Sequence, residues 1–171
     1  MAMIRFIPFV AIVLLAPALD AGKRRAPSLI GFHLEASEGD RPKKTTRVVL
    51  GVQSYNVRLE PAFEQDDIVG FYPFEADDGR TYGSAFKLND RAARKLASLT
   101  SDANGKRIFT VVGTDAIGAV LIDRPVEDGY IVCWKGLRTE HVKAFEGVFP
   151  KIEAVPSPTG SADDFIDRRA R

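Results

Sequence analysis

Between Asn89 and Gly105 the spacing of apolar residues changes from strand-like to helical. Ala92, Ala93, Leu96, Leu99 and Ala103 fall on one face of a helix running from Asp90 to Ala103. Asn89 stands just before it, with a side-chain oxygen able to accept from the first free amides. Asn104-Gly105 follows, offering a residue that turns left-handed at a helix end. On either side the pattern returns to short strand signals, so the chain is expected to be α+β rather than all of one kind.

Phe32, Leu34 and Ala36 alternate with His33 and Glu35 until Glu38-Gly39-Asp40 breaks the run. Val48–Leu50 and Tyr55–Leu59 flank Gly51-Val52-Gln53-Ser54 and read as a hairpin. Ile68–Phe74 and Ser84–Leu88 form a second pair around Asp77-Asp78-Gly79. Pro73 has no amide hydrogen for a ladder, which makes its strand an edge or an interrupted one. Strand signals return at Arg107–Gly113, Ile117–Ile122 and Tyr130–Trp134, before a second helix from about Glu140, with Thr139 as its cap and Pro150 as its stop. Val142, Phe145 and Phe149 face inward along it. The expected architecture is a mostly antiparallel sheet with two helices packed on one face.

The ends are of a different character. Arg5 precedes the apolar run Phe6–Leu15, and Ala16 and Ala18 supply small residues in a cleavage pattern, so residues 1–21 are expected to be a signal peptide. The run is about half the roughly 20 apolar residues that a spanning helix needs. Residues 22–30 read as a flexible lead-in, 31–152 as a single domain and 153–171 as a disordered tail, in which Phe165 and Ile166 stand out as apolar. The expected setting is the periplasm or the medium, with no stable membrane insertion after signal cleavage. Removing residues 1–21 takes away Arg5 and Asp20 together, so the net charge stays at +1. That balance gives no drive toward nucleic acid. The lone Cys133, inside the run Tyr130–Trp134, allows no internal disulfide and reads as a buried small hydrophobe.

Residues Ala85–Leu88, Lys95–Thr100 and Asn104–Arg107, with the strand pair that follows, resemble the periplasmic head subdomain of the SecD protein-export subunit. In that family a strand leads to a helix ending in Leu-Thr, then to a Gly-Lys turn and a strand. Asp128-Gly129, Lys135-Gly136 and the helix at Thr139–Phe149 occupy the matching places. Residues 31–152 as a whole are similar to small exported bacterial proteins of unassigned function carrying that subdomain alone. The shared marks are Phe32–Ala36 with Glu38–Asp40, Asp77–Gly79 and Ile122–Gly129. The resemblance implies the fold and a disposition to contact polypeptides. It implies no motor role, since the membrane helices of SecD have no counterpart here and Gly118-Ala119-Val120 replaces its Ser-Ala-Pro turn.

A catalytic set is not expected. His33 and His141 are the only histidines, no nucleophile elbow is present, and Gly83-Ser84-Ala85 opens a strand. Asp77-Asp78-Gly79 lacks the ligand spacing of a calcium loop, Asp66-Asp67 reads as a solvated loop, and two separated histidines with one cysteine make no zinc set. Gly113–Gly118 is followed by no helix that would hold a phosphate. No cofactor or metal is therefore expected. Phe71, Tyr72 and Phe74, with Tyr82 and Phe86 across their hairpin, are the candidate peptide-binding surface; the reading preferred for them is core, as a strand buried on both sides or an edge strand covered by the N-terminal segment. The function expected is a non-catalytic peptide- or protein-binding accessory module of the cell envelope. The alternatives are a hydrolase assembled from Asp or Glu and a histidine, and a self-associating structural protein.

Overall fold

The computed structural model describes residues 28–153. The expected signal segment lies outside them, as does all but one residue of the expected tail. The strands are β1 (Ile30–Leu34), β2 (Thr45–Leu50), β3 (Gln53–Arg58), β4 (Phe63–Glu64), β5 (Ile68–Glu75) and β6 (Tyr82–Leu88), then β7 (Arg107–Val112), β8 (Asp115–Leu121) and β9 (Tyr130–Leu137). Helix α1 (Asp90–Asp102) lies between β6 and β7, and α2 (Thr139–Glu146) follows β9. Single 3-10 turns at Pro42–Lys44 and Gln65–Asp67, and the two-residue strand β4, carry no periodic signal in the sequence.

The fold is α+β and antiparallel throughout its named strands, as expected. The strands divide into three sheets, ordered β4-β1-β7-β8, β2-β3 and β5-β6-β9. β8 and β9 pass beside each other without a ladder. Bulges between Thr110 and Val111 in the β7–β8 pair and between Tyr82 and Ser84 in the β6–β9 pair lie on either side of that gap. Bulges bend strands and add local twist, which separates sheets that a periodic pattern alone joins.

Helix α1 forms as its sequence dictates. Asn89 Oδ1 accepts the Ala92 amide at 2.9 Å, Ala92 and Leu96 are buried, and Gly105 takes a φ of +82° after the helix ends. The cap of α2 lies one residue earlier than expected: Arg138 has the extended N-cap backbone, and Thr139 is already helical. The reason is local. The amide of Arg138 donates to Nδ1 of His141 at 3.2 Å, so the histidine ring rather than the threonine hydroxyl satisfies the helix start.

Both helices turn their apolar sides into one core shared with β1, β5, β6, β7 and β9. Aromatic edges run through it: Phe32 meets Phe86 at 5.5 Å, Phe86 meets Phe145 at 5.5 Å, and Phe145 meets Phe71 at 6.0 Å between ring centroids. These are edge-on arrangements, each worth about 0.5–1.5 kcal/mol beyond area burial. The β2–β3 hairpin joins through a polar stack. Arg107 bonds the Glu35 carboxylate at 3.2 Å and lies 5.6 Å over the Tyr55 ring, whose other neighbour is Phe109 at 5.0 Å.

Candidate functional site

Strand parity sorts the candidate aromatic residues. Cross-strand partners Phe71 and Phe86 both point into the core and are fully buried. Tyr82 shares the inward parity of Phe86 and packs at the margin of the same core. These three do not form an exposed surface, because the inner face of the sheet is closed by both helices. Tyr72 and Phe74 point to the opposite face. There they meet Tyr130, Val132, Trp134 and Ile152, with Ala85 beneath them.

This outer face has a definite geometry. Tyr72 pairs with Ala85, which pairs in turn with Val132, so a small residue floors the centre of the row. Phe74 pairs with Gly83 and lays its ring over that glycine; the ring meets Trp134 at 6.1 Å and 60°. Ala85 and Val132 are buried while Tyr72, Phe74 and Trp134 are only half-buried. Tyr130 is buried at one end of the face, and burial together with the Asp128 carboxylate holds its phenol above the ordinary range. Sequence reasoning missed Tyr130, Trp134 and Ile152. The signal was present, since Tyr130, Val132 and Trp134 alternate, but Ile131 and Cys133 between them are apolar too and hide the period.

The edge of β5 is as Pro73 foretold, and it is occupied. The amide of Phe71 donates to the Pro150 carbonyl at 3.1 Å, and the amide of Ile152 donates to the Phe71 carbonyl at 3.0 Å. Lys151 thereby bridges Phe71 in parallel. Backbone groups alternate sides along a strand, so Pro73 faces the same way as Phe71 and offers no donor there.

The remaining polar candidates have structural settings. His33 Nδ1 lies 2.9 Å from the Arg58 carbonyl. His141 is held by Arg138, and partial burial followed by the nearby guanidinium lowers its pKa. Neither imidazole is hydrogen-bonded to a carboxylate among the described residues, where no three metal-capable side chains gather either. Asp78 builds the β5–β6 turn, accepting from the amides of Arg80 and Thr81 at 2.9 and 2.8 Å and from the Thr81 hydroxyl at 2.6 Å. Those donors, the hydroxyl first, bring its pKa down to about 2. Asp67 bonds the Glu64 amide at 3.1 Å, and Asp66 lies beside it in the same 3-10 turn. Cys133 is buried and its thiol is pushed up to about 11 by that burial.

No family model and no curated protein matches the chain. Among solved structures it is similar to SecDF, described as a membrane component that enhances protein export, at 17% identity and a TM-score of 0.49. That match covers 71% of this chain and 60% of the other. SecDF in a super-membrane-facing form matches at 15% identity and a TM-score of 0.48, over 72% of this chain and 18% of that one. SecDF contains the subunit that the sequence resembles, and at these identities and scores the likeness says nothing of what this chain does. No helix among the described residues is long and apolar enough to cross a membrane.

Proposed function

We propose that the chain is a non-catalytic polypeptide-binding module of the cell envelope, presenting the outer face of β5-β6-β9 to an extended apolar stretch of a partner polypeptide. The observation that carries this reading is the half-buried group Tyr72, Phe74 and Trp134 standing around the small, buried floor residues Ala85 and Val132. Large aromatic rings on a rigid sheet offer apolar area at low ordering cost and are enriched where proteins bind one another. A partner would lie across the face rather than extend the sheet at β5, because residues 150–152 and Pro73 occupy that edge. The signal-like N-terminal segment supports the exported setting, and the sequence resemblance to SecD supports contact with polypeptides.

Trp134 is the chain's only tryptophan and reports on this face directly. Titration of the full exported chain with a permanently unfolded, apolar-rich polypeptide should give a saturable blue shift of its emission. Phe74→Ser should weaken that binding about tenfold, the scale of a truncated aromatic anchor. A flat titration, or a Phe74→Ser variant that binds like the parent, would rule the reading out. A shift that depends only on the chain's own concentration would favour self-association instead.

A further inference from the structure

A second concave surface lies away from the aromatic face. Helix α1, the segment from Asp40 to Lys44 and the segment from Arg58 to Ala62 enclose a cleft of about 590 Å³. That volume falls within the range of roughly 300–1,000 Å³ typical of ligand pockets. Its apolar lining comes from Leu34, Pro61, Ala62 and Leu99, with the more exposed Leu59 at one side.

The charge around this lining is one-sided. Lys43, Lys44, Arg58 and Lys95 stand against Asp40 and Glu60. Asp40 is already engaged: it takes the Arg58 guanidinium at 3.1 Å and the Ser37 amide at 2.8 Å. The Ser37 amide first, and then Arg58, hold its carboxyl below the usual range, so it stays ionised and neutralises that arginine. Lys95 is held in place from the protein side. Its Nζ donates to the Ala62 carbonyl at 2.6 Å and sits 5.2 Å from the Phe63 ring centre. An ammonium has three donors, so two of them still point elsewhere. Lys43 and Lys44 make no ion pair with any described residue, and the 3-10 turn Pro42–Lys44 fixes where both begin. Three ammonium groups therefore surround an apolar trough with only Glu60 left to oppose them.

We infer that this cleft is a binding site for an acidic peptide segment bearing apolar side chains, its carboxylates meeting Lys43, Lys44 and Lys95 and its apolar groups resting on Leu34, Pro61 and Leu99. The shape and lining favour a peptide over other polyanions. A bilayer surface cannot enter a concave trough. A nucleic acid would find no aromatic lining residue on which to stack a base, and its phosphates would meet Glu60. The chain also contains an acidic, apolar stretch of its own, Asp163-Asp164-Phe165-Ile166-Asp167, which is the natural competitor for the role.

The test is fluorescence anisotropy of short labelled peptides alternating Glu with Leu, Gln with Leu, or Lys with Leu, added to the full exported chain. The Glu-Leu peptide should bind and the other two should not. Binding should weaken as salt rises past the concentration at which the screening length falls below about 10 Å. Lys43→Gln/Lys44→Gln should weaken it by about three- to tenfold, the yield of two exposed ion pairs. Both lysines are exposed, so an unchanged melting temperature confirms that the variant is folded. Equal binding of the Gln-Leu peptide, or indifference to the lysine substitutions, overturns the inference. A labelled single-stranded oligonucleotide competing as well as the peptide overturns it as well, by reducing the cleft to a nonspecific basic surface. The variant Asp163→Asn/Asp164→Asn/Asp167→Asn should bind the peptide as the parent does; a clear gain in affinity would place the chain's own segment in the cleft and defeat the assignment to a separate partner.

Discussion

The ring of Phe74 fills the space that a side chain on Gly83, its cross-strand partner, would need. A β-carbon there would collide with the ring and would also stand 2.6 Å from the Trp134 carbonyl oxygen. The aromatic ring covers a bare glycine backbone in a strand, and the glycine lets the ring lie flat enough to reach Trp134.

Gly83→Ala should therefore destabilise the protein by about 1–3 kcal/mol, the usual cost of overpacking. Urea unfolding followed by Trp134 emission would measure it. Adding Phe74→Ala to Gly83→Ala should recover only part of the loss, because the Trp134 carbonyl is backbone and cannot swing away. Full recovery, or no loss at all, would contradict the contact.

Thr100 ties helix α1 to the loop before β9. Its buried hydroxyl donates to the Leu96 carbonyl at 2.8 Å and accepts the Val126 amide at 2.8 Å. Thr100→Val keeps the shape but strands that amide, at a cost of about 1–3 kcal/mol. Thr100→Ser should lose less. Amide exchange at Val126 should accelerate in the valine variant and stay slow in the serine variant; equal rates in both would show the bond to be idle.

Asp78 makes stability depend on pH at the acid end. Its folded pKa, about 2, lies below the ordinary 3.8, so the unfolded chain binds the proton first as pH falls. The contribution is complete above 3.8 and disappears as pH drops through about 2. Asp78→Asn should melt lower than the parent at pH 7, and the two curves should converge toward pH 2. The effect should extend beyond the turn, since the Thr81 hydroxyl that bonds Asp78 also accepts the Gly136 amide of β9 at 3.0 Å. A constant gap between the curves down to pH 2 would remove Asp78 from this role.

Much of this was legible in advance for physical reasons. Helix α1 announced itself because its cap, its apolar face and its terminating glycine agree with one another. The hairpins did so because Gly51-Val52 and Asp77-Asp78-Gly79 punctuate them. The aromatic surface was legible only in part. Alternation tells which residues share a face, so Tyr72 and Phe74 separate from Phe71, but it does not tell which face the helices cover. In β9, with Tyr130, Val132 and Trp134 interleaved with Ile131 and Cys133, even the alternation is masked. The cationic cleft left no local trace, because Lys43, Arg58 and Lys95 come from three separate segments that only the folded chain brings around one trough.

The pairing of Phe71 with Pro150 and Ile152 gives the last described residues the part of a stopper. A sheet that ends in a bare strand invites the same strand of another copy, and here that edge is met at Phe71 by the last three residues of the expected domain, 150–152. Cut the chain just before Pro150 and that row of β5 is left open, with only Pro73 to discourage a neighbour. At Phe71 the edge of β5 is thus met from within the molecule, two backbone groups at a time.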